Sequence, residues 1–292
     1  MLRTEHDPAP FPASRWLKST AWLADHLHDR DVAVVDGSYP PVGVTPKRDV
    51  HADYRAGHIP GAAFFDIDAV SDHSTELPHM VPGATQFGDA VGALGISERD
   101  TIVVYDSVGL YSAARVWWTF RVLGATHVYI LDGGLPKWQA EGRPLESGDG
   151  KRPPRQFKAE MNVSAVAMLD DMRMAVTDDS VQVVDARSAA RFKGHAPEPR
   201  PGLRSGHMPN SFNLPFDRVV ENGSLVSRDR ITAAFTDAGV DLKKPIITSC
   251  GSGLTAAILT FALEAIGKTP KGLYDGSWTE WGGRPDLPIK RD

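Results

Sequence analysis

The chain contains one cysteine, Cys250. A lone cysteine cannot close an internal disulfide, and a cysteine-ligated zinc site needs several such residues. Taken alone, a residue of this kind is most often a small buried hydrophobe. Its surroundings point elsewhere. The strand-like run Pro245-Ile246-Ile247-Thr248-Ser249 ends at Cys250, and Gly251-Ser252-Gly253-Leu254-Thr255-Ala256-Ala257 follows as a glycine-rich turn opening a helix. Open α/β sheets bind ligands beyond the carboxyl ends of their strands. Successive N–H groups in such a turn, at a helix N-terminus, make a nest for an anion. A thiol at the mouth of a nest is expected to favour the thiolate, the nucleophilic form. Cys250 is therefore expected to be a nucleophile.

The elements that must position it come in two copies. Val34-Val35-Asp36-Gly37 recurs as Val183-Val184-Asp185-Ala186, and Ala56-Gly57-His58-Ile59-Pro60 as Ser205-Gly206-His207-Met208-Pro209. Ile102-Val103-Val104-Tyr105-Asp106 parallels Ile246-Ile247-Thr248-Ser249-Cys250, and Leu131-Asp132-Gly133-Gly134 parallels Tyr274-Asp275-Gly276-Ser277. Four matches in one order, at nearly constant separation, mark a duplicated domain; the period is far too long for a solenoid. Apolar runs at 32–36, 63–66, 101–105 and 127–131 predict strands, and helical spacing at 82–94 and 112–123 predicts helices between them. The second half repeats this with strands at 181–185 and 246–249 and a helix at 254–266. Strands alternating with helices imply an α/β fold of two domains, each a mainly parallel sheet covered on both faces. Pro, Gly and Ser concentrate at 143–155, so the expected division is a first domain over 1–142, a linker over 143–158 and a second domain over 159–292.

Composition narrows the function classes. With 32 basic against 37 acidic residues the net charge is −5, which argues against nucleic acid as a partner. No uninterrupted apolar run is long enough to span a bilayer, and the first residues lack the basic start and apolar stretch of a signal peptide, so a cytoplasmic protein without a membrane partner is expected. The histidines show no metal-ligand clustering, and Gly133-Gly134 lacks the spacing of a nucleotide motif, so no metal and no cofactor are expected.

The Cys250–Ala256 loop resembles the active-site loop of the tandem-domain rhodanese superfamily, in particular its branch that takes sulfur from 3-mercaptopyruvate. The resemblance covers nearly the whole chain. It includes Gly57-His58-Ile59-Pro60-Gly61-Ala62, Phe64-Phe65-Asp66-Ile67-Asp68, His79-Met80-Val81-Pro82-Gly83 and Leu110 through Trp118. In the second half it includes Pro197-Glu198-Pro199-Arg200 and Tyr274 through Trp281. It implies two rhodanese-like domains with the cysteine in the second, and Asp106 at the parallel position of the first fits a non-catalytic copy. It also implies a Cys250 persulfide that passes sulfur to a thiol such as reduced thioredoxin, or to cyanide. Gly251, Gly253, Leu254 and Thr255 form the substrate loop by the same resemblance.

Further roles follow from the resemblance. Two arginines nine residues apart, matching Arg191 and Arg200, would bind the donor carboxylate, a task that suits the planar guanidinium. A Ser–His–Asp relay would be Ser252, His79 and Asp68, although Ser252 alone also reads as a serine bracing the turn. Arg187, directly after the strand ending at Asp185, is expected to make a structural ion pair. His58 and His207 recur in both halves and are expected to brace turns. Trp117 and Trp118 are expected in the core or between domains, and Trp278 and Trp281 on a short helix near the active loop.

Three rivals remain. Thiosulfate sulfurtransferases of this fold usually carry basic side chains just after the cysteine, and Gly251–Ala256 has none. A cysteine phosphatase of related fold needs an arginine where Ala256 stands. A non-catalytic binding module would have no reason to combine the cysteine with both glycines and the arginine pair.

Overall fold

The computed structural model describes residues 14–43, 46–178 and 180–292. The first residues, read above for a leader, lie largely outside that range. In the first half, β1 (Leu17–Lys18), β2 (Val32–Asp36), β3 (Ala63–Phe64), β4 (Thr101–Tyr105) and β5 (Val128–Leu131) form a parallel sheet in the order β1-β5-β4-β2-β3. In the second half, β6 (Val166–Ala167), β7 (Gln182–Asp185) and β8 (Ser211–Asn213) precede a small antiparallel hairpin, β9 (Val220–Glu221) and β10 (Ser224–Leu225). With β11 (Ile246–Ser249) and β12 (Gly272–Tyr274) they give the parallel order β6-β12-β11-β7-β8. The two orders are the same order, as a duplication requires. Every residue of β2 and β7 is buried, which is why their apolar residues, Val32–Val35 and Val183–Val184, run on without alternating.

Helices lie between the strands. Those that matter for the site are α1 (Ala113–Val122), which follows β4, α2 (Ala189–Phe192), α3 (Ala256–Ala265), which follows β11, and α4 (Ser277–Gly283). All ten residues of α3 are buried. It has no polar face because its own sheet covers one side and α1 the other. Trp117 meets Phe261 edge-on across that junction at 4.9 Å, and one apolar cluster runs through both halves. Trp117 and Trp118 are buried there, as expected.

The stretch expected to be a linker is tied down along the first half. Glu146 pairs with His58, Arg155 grips Asp100 at 2.6 and 2.7 Å, and Phe157 packs on Phe87 and Phe120. Its composition hid this, because one phenylalanine and one arginine suffice to anchor an extended strap. His58 and His207 brace their turns alike. Each stacks on an aromatic ring of the preceding helical segment, Tyr54 or Phe192, and each Nδ1 meets that residue's carbonyl, at 2.8 and 2.9 Å. Among the described residues no helix is long and apolar enough to cross a membrane.

Candidate active site

Cys250 leaves the carboxyl end of β11 and is 1% exposed at the wall of a cavity of about 510 Å³ between the two halves. Arg191, Ser252, Leu254 and Thr255 line it from the second half; Val42, Leu110 and Tyr111 line it from the first. Burial, aided by the nearby sulfur, raises the Tyr111 phenol above its ordinary range, so this wall stays neutral.

The loop after Cys250 is held by its carbonyls. Cys250 O accepts from Trp278 N at 2.9 Å, and Gly251 O from Thr279 N and Oγ1 at 2.9 and 2.6 Å. Ser252 O faces His79 Nδ1 at 3.2 Å, and Gly253 O accepts from Arg115 Nη1 at 3.3 Å. A trans peptide sets its N–H opposite its C=O, so fixing these oxygens fixes the amides too. Ser277 adds an internal anchor: its Oγ accepts from Cys250 N at 3.3 Å and Gly253 N at 2.9 Å. It does so at φ +50, a left-handed conformation, where the first half has Gly134 at φ +54. Trp278 and Trp281 lie on α4 against this loop, as their spacing suggested.

The first half shows what such a loop is shaped to hold. Asp106 stands at the end of β4 as Cys250 stands at the end of β11. Its Oδ1 accepts from Val108 and Gly109 N at 2.8 and 2.7 Å, and its Oδ2 from Tyr111, Ser112 and Ala113 N at 2.8–2.9 Å. Five amides thus converge on one carboxylate, an internal anion. Around Cys250 the matching amides of Ser252, Thr255 and Ala256 have no protein acceptor among the described residues. The nest is filled in one copy and open in the other.

The charges nearby are arranged around Glu198. Arg187 is fully buried, with Asp185 at 2.8 Å and Glu198 at 2.7 Å. Burial works against its charge, but the two carboxylates outweigh it and hold the guanidinium above its ordinary range. This is the structural pair expected for Arg187, with a second partner added. Glu198 Oε2 also takes Arg191 Nη2 at 2.5 Å. Arg191 therefore lines the cavity as a pinned guanidinium. A Cβ at Gly251 would lie 2.9 Å from its Nη2, so the glycine makes room for the arginine. Arg200 does not line this cavity, and among the described residues it has no hydrogen-bond or ion-pair partner. Its charge is felt by Tyr39, whose hydroxyl is pushed up to about 12, first by burial and then by Asp68.

His79 and Asp68 do meet, with Nε2 3.3 Å from Oδ1. The His79 ring is the largest cause holding the Asp68 carboxyl below its ordinary range, against the opposing effect of burial. The third member is approached through its backbone: His79 Nδ1 faces the carbonyl oxygen of Ser252, while the Ser252 hydroxyl has no partner among the described residues.

Sequence reasoning singled out neither Glu198 nor Arg115. Both carried a signal. A glutamate between two arginines on a short proline-rich turn invites pairing, and an arginine inside the apolar run Ala113–Val122 must find a buried counter-charge.

Comparison with known proteins agrees with this architecture. The rhodanese-like domain family matches residues 19–141 and again 168–284, and the chain belongs to that family. Among its relatives, the 3-mercaptopyruvate sulfurtransferase of Escherichia coli K12 is 42% identical over 95% of this chain and 99% of its own. That of Mus musculus is 41% identical over 91% and 92%, and the mouse thiosulfate sulfurtransferase 38% over the same shares. The crystal structure of SseA, a 3-mercaptopyruvate sulfotransferase from Escherichia coli, superposes with a TM-score of 0.83 at 40% identity, covering 90% of this chain and 98% of that one.

Proposed function

We propose that this chain is a 3-mercaptopyruvate sulfurtransferase that works through a persulfide on Cys250. The observation that carries the reading is an open nest of backbone amides around one buried sulfur, with no basic side chain from Gly251 to Ala256. Relatives that bear this activity in their names span almost the whole chain.

The Cys250 thiolate attacks the donor's thiol sulfur, forming an S–S bond. The donor's C–S bond breaks, its electron pair stays on carbon as the enolate of pyruvate, and the thiol proton balances that charge as pyruvate forms. A thiol acceptor, or cyanide, then takes the outer sulfur and returns the Cys250 thiolate. Two half-reactions through one covalent intermediate give ping-pong kinetics. With no second cysteine in the chain, the persulfide waits for an external acceptor. Reduced thioredoxin suits that role, and a thiol that must stay reduced suits the cytoplasm.

Arg191 offers the donor carboxylate the guanidinium edge that Glu198 leaves open, and Arg200, outside the cavity lining, adds a more distant positive charge that Tyr39 also feels. Ser252, lining the cavity, is placed to hydrogen-bond the donor ketone as it becomes an enolate, while His79 and Asp68 stand behind the loop. Thiosulfate is a poorer fit. It is a small dianion, and the positive charge on Arg187 and Arg191 is already matched by Asp185 and Glu198.

The test is steady-state sulfur transfer to cyanide with each donor, alongside Cys250→Ser. The expected result is a preference for 3-mercaptopyruvate of about tenfold or more in kcat/KM, ~1.4 kcal/mol, abolished in the variant. A preference for thiosulfate would remove the carboxylate-binding role of Arg191 and Arg200, and turnover of neither donor would favour a binding module.

A further inference from the structure

Arg115 belongs to the half without the cysteine, yet its contacts converge on the catalytic loop. It is 2% exposed. A charge buried this deeply is tolerated only when paired and fully hydrogen-bonded. Its Nη2 meets Asp275 Oδ1 at 2.8 Å and donates to the carbonyl of His79. Its Nη1 donates to the carbonyl of Gly253, and its guanidinium lies 4.6 Å over the Trp118 ring. Asp275 in turn accepts from Val81 N at 2.7 Å with its other oxygen.

Two of these contacts fall on left-handed backbone. His79 sits at φ +62, unusual for a residue with a side chain, and Gly253 at φ +76. A Cβ at Gly253 would lie 2.7 Å from Arg115 Nη1, so the loop glycine is shaped to admit this arginine. The pair therefore holds His79, whose ring holds the Ser252 carbonyl, and also holds the Gly253 carbonyl directly. Of the loop carbonyls that face protein donors, those of Cys250 and Gly251 are held by α4, and those of Ser252 and Gly253 by the other half of the molecule.

We propose that Arg115, with Asp275 as its counter-ion, is a positioning residue for sulfur transfer at Cys250, fixing the Ser252 and Gly253 carbonyls and with them the path of the loop that carries the open amides of Ser252, Thr255 and Ala256. The non-catalytic half is then part of the catalytic machinery rather than a lid. This rests on the sulfurtransferase reading for its kinetic consequence, but the loop geometry can be read without any sulfur donor. The charged and titratable groups sharing the cavity with Cys250 are Arg187, Arg191 and Tyr111, none of which touches Arg115.

The experiment compares Arg115→Gln and Arg115→Lys in the full chain, using alkylation of Cys250 by iodoacetamide at neutral pH and steady-state transfer from 3-mercaptopyruvate to cyanide. Arg115→Gln is expected to slow both alkylation and kcat by about tenfold or more, with KM moving by less than about threefold. Arg115→Lys keeps the charge but cannot serve Asp275 and two carbonyls at once. It is expected to fall between the two, with alkylation about threefold below the parent protein. Alkylation at the parent rate or faster in either folded variant would overturn the proposal, as would a loss confined to KM. If Arg115→Gln does not fold, Arg115→Lys alone decides. If the parent protein turns over neither donor, the functional reading fails while the alkylation comparison still judges Arg115.

Discussion

Glu198 holds Arg187 and Arg191 with one buried carboxylate, through Oε1 at 2.7 Å and Oε2 at 2.5 Å. The first arginine is locked into the fold by Asp185 as well, whereas the second is partly exposed to the cavity. One side chain thus sets both the orientation and the net charge of the cavity's arginine wall. Glu198→Gln keeps the shape and removes the charge. Stability should fall by about 3 kcal/mol, as when a buried ion pair loses one partner. The cavity gains a positive charge, so the ratio of thiosulfate to 3-mercaptopyruvate kcat/KM should rise several-fold, measured with both donors on the folded variant.

Asp106 fills its own nest and thereby shapes the other half's cavity, because Val108, Leu110 and Tyr111 of that loop form its wall. Asp106→Asn turns one acceptor oxygen into a donor facing backbone N–H groups. The expected cost is about 3 kcal/mol in urea unfolding. In the fraction that folds, KM for the donor should rise more than kcat falls, since the wall moves and the sulfur does not.

Ser277 accepts a strained conformation in order to anchor the loop, and strain and anchoring can be separated. Ser277→Gly removes the left-handed strain of about 1 kcal/mol along with the hydroxyl, so the melting temperature should change little while sulfur transfer drops. Ser277→Ala keeps the strain and loses the anchor, so it should be both less stable and less active. Equal activity in the glycine variant and the parent protein would show that the hydroxyl does not organise the loop.

Asp68 gives a pH signature with a definite sign. Its carboxyl is held below the ordinary carboxylate range, chiefly by the His79 ring, so it favours the folded state when ionised. That contribution is complete above the unfolded value of about 3.9 and is lost as pH falls through the lower folded value. Unfolding of the parent protein and Asp68→Asn, followed by circular dichroism, should therefore differ near neutral pH and converge in acid. Curves that stay parallel down to acid pH would mean that the His79–Asp68 contact contributes nothing to folding.

Much of this protein was written locally. The duplication, the parallel strands, the helices on both faces and the placing of Cys250 at a strand end follow from periodicities of a few residues, and the structure keeps them with shifts of one or two positions, such as a third strand that stops at Phe64 rather than at residue 66. Parallel sheets bury both faces, so their strands announce themselves as unbroken apolar runs. The position of Cys250 at the start of its loop was legible for a similar reason, since a glycine-rich turn between strand and helix is a local pattern.

Three features were decided only by the tertiary fold. Arg191 and Arg200 look equivalent as a spaced pair, yet one lines the cavity and the other lies by Tyr39, because Glu198 folds back on the first. The His79 ring reaches Ser252 through a carbonyl rather than a hydroxyl, which depends on the register of two segments 173 residues apart. Arg115 finds Asp275 across the junction of the halves, a pairing for which neither local sequence gives a distance. Local sequence encodes which way a segment bends and which face it buries. A polar partner brought from the other half is chosen by packing, and there the desolvation of each charge makes one geometry stable and the rest costly.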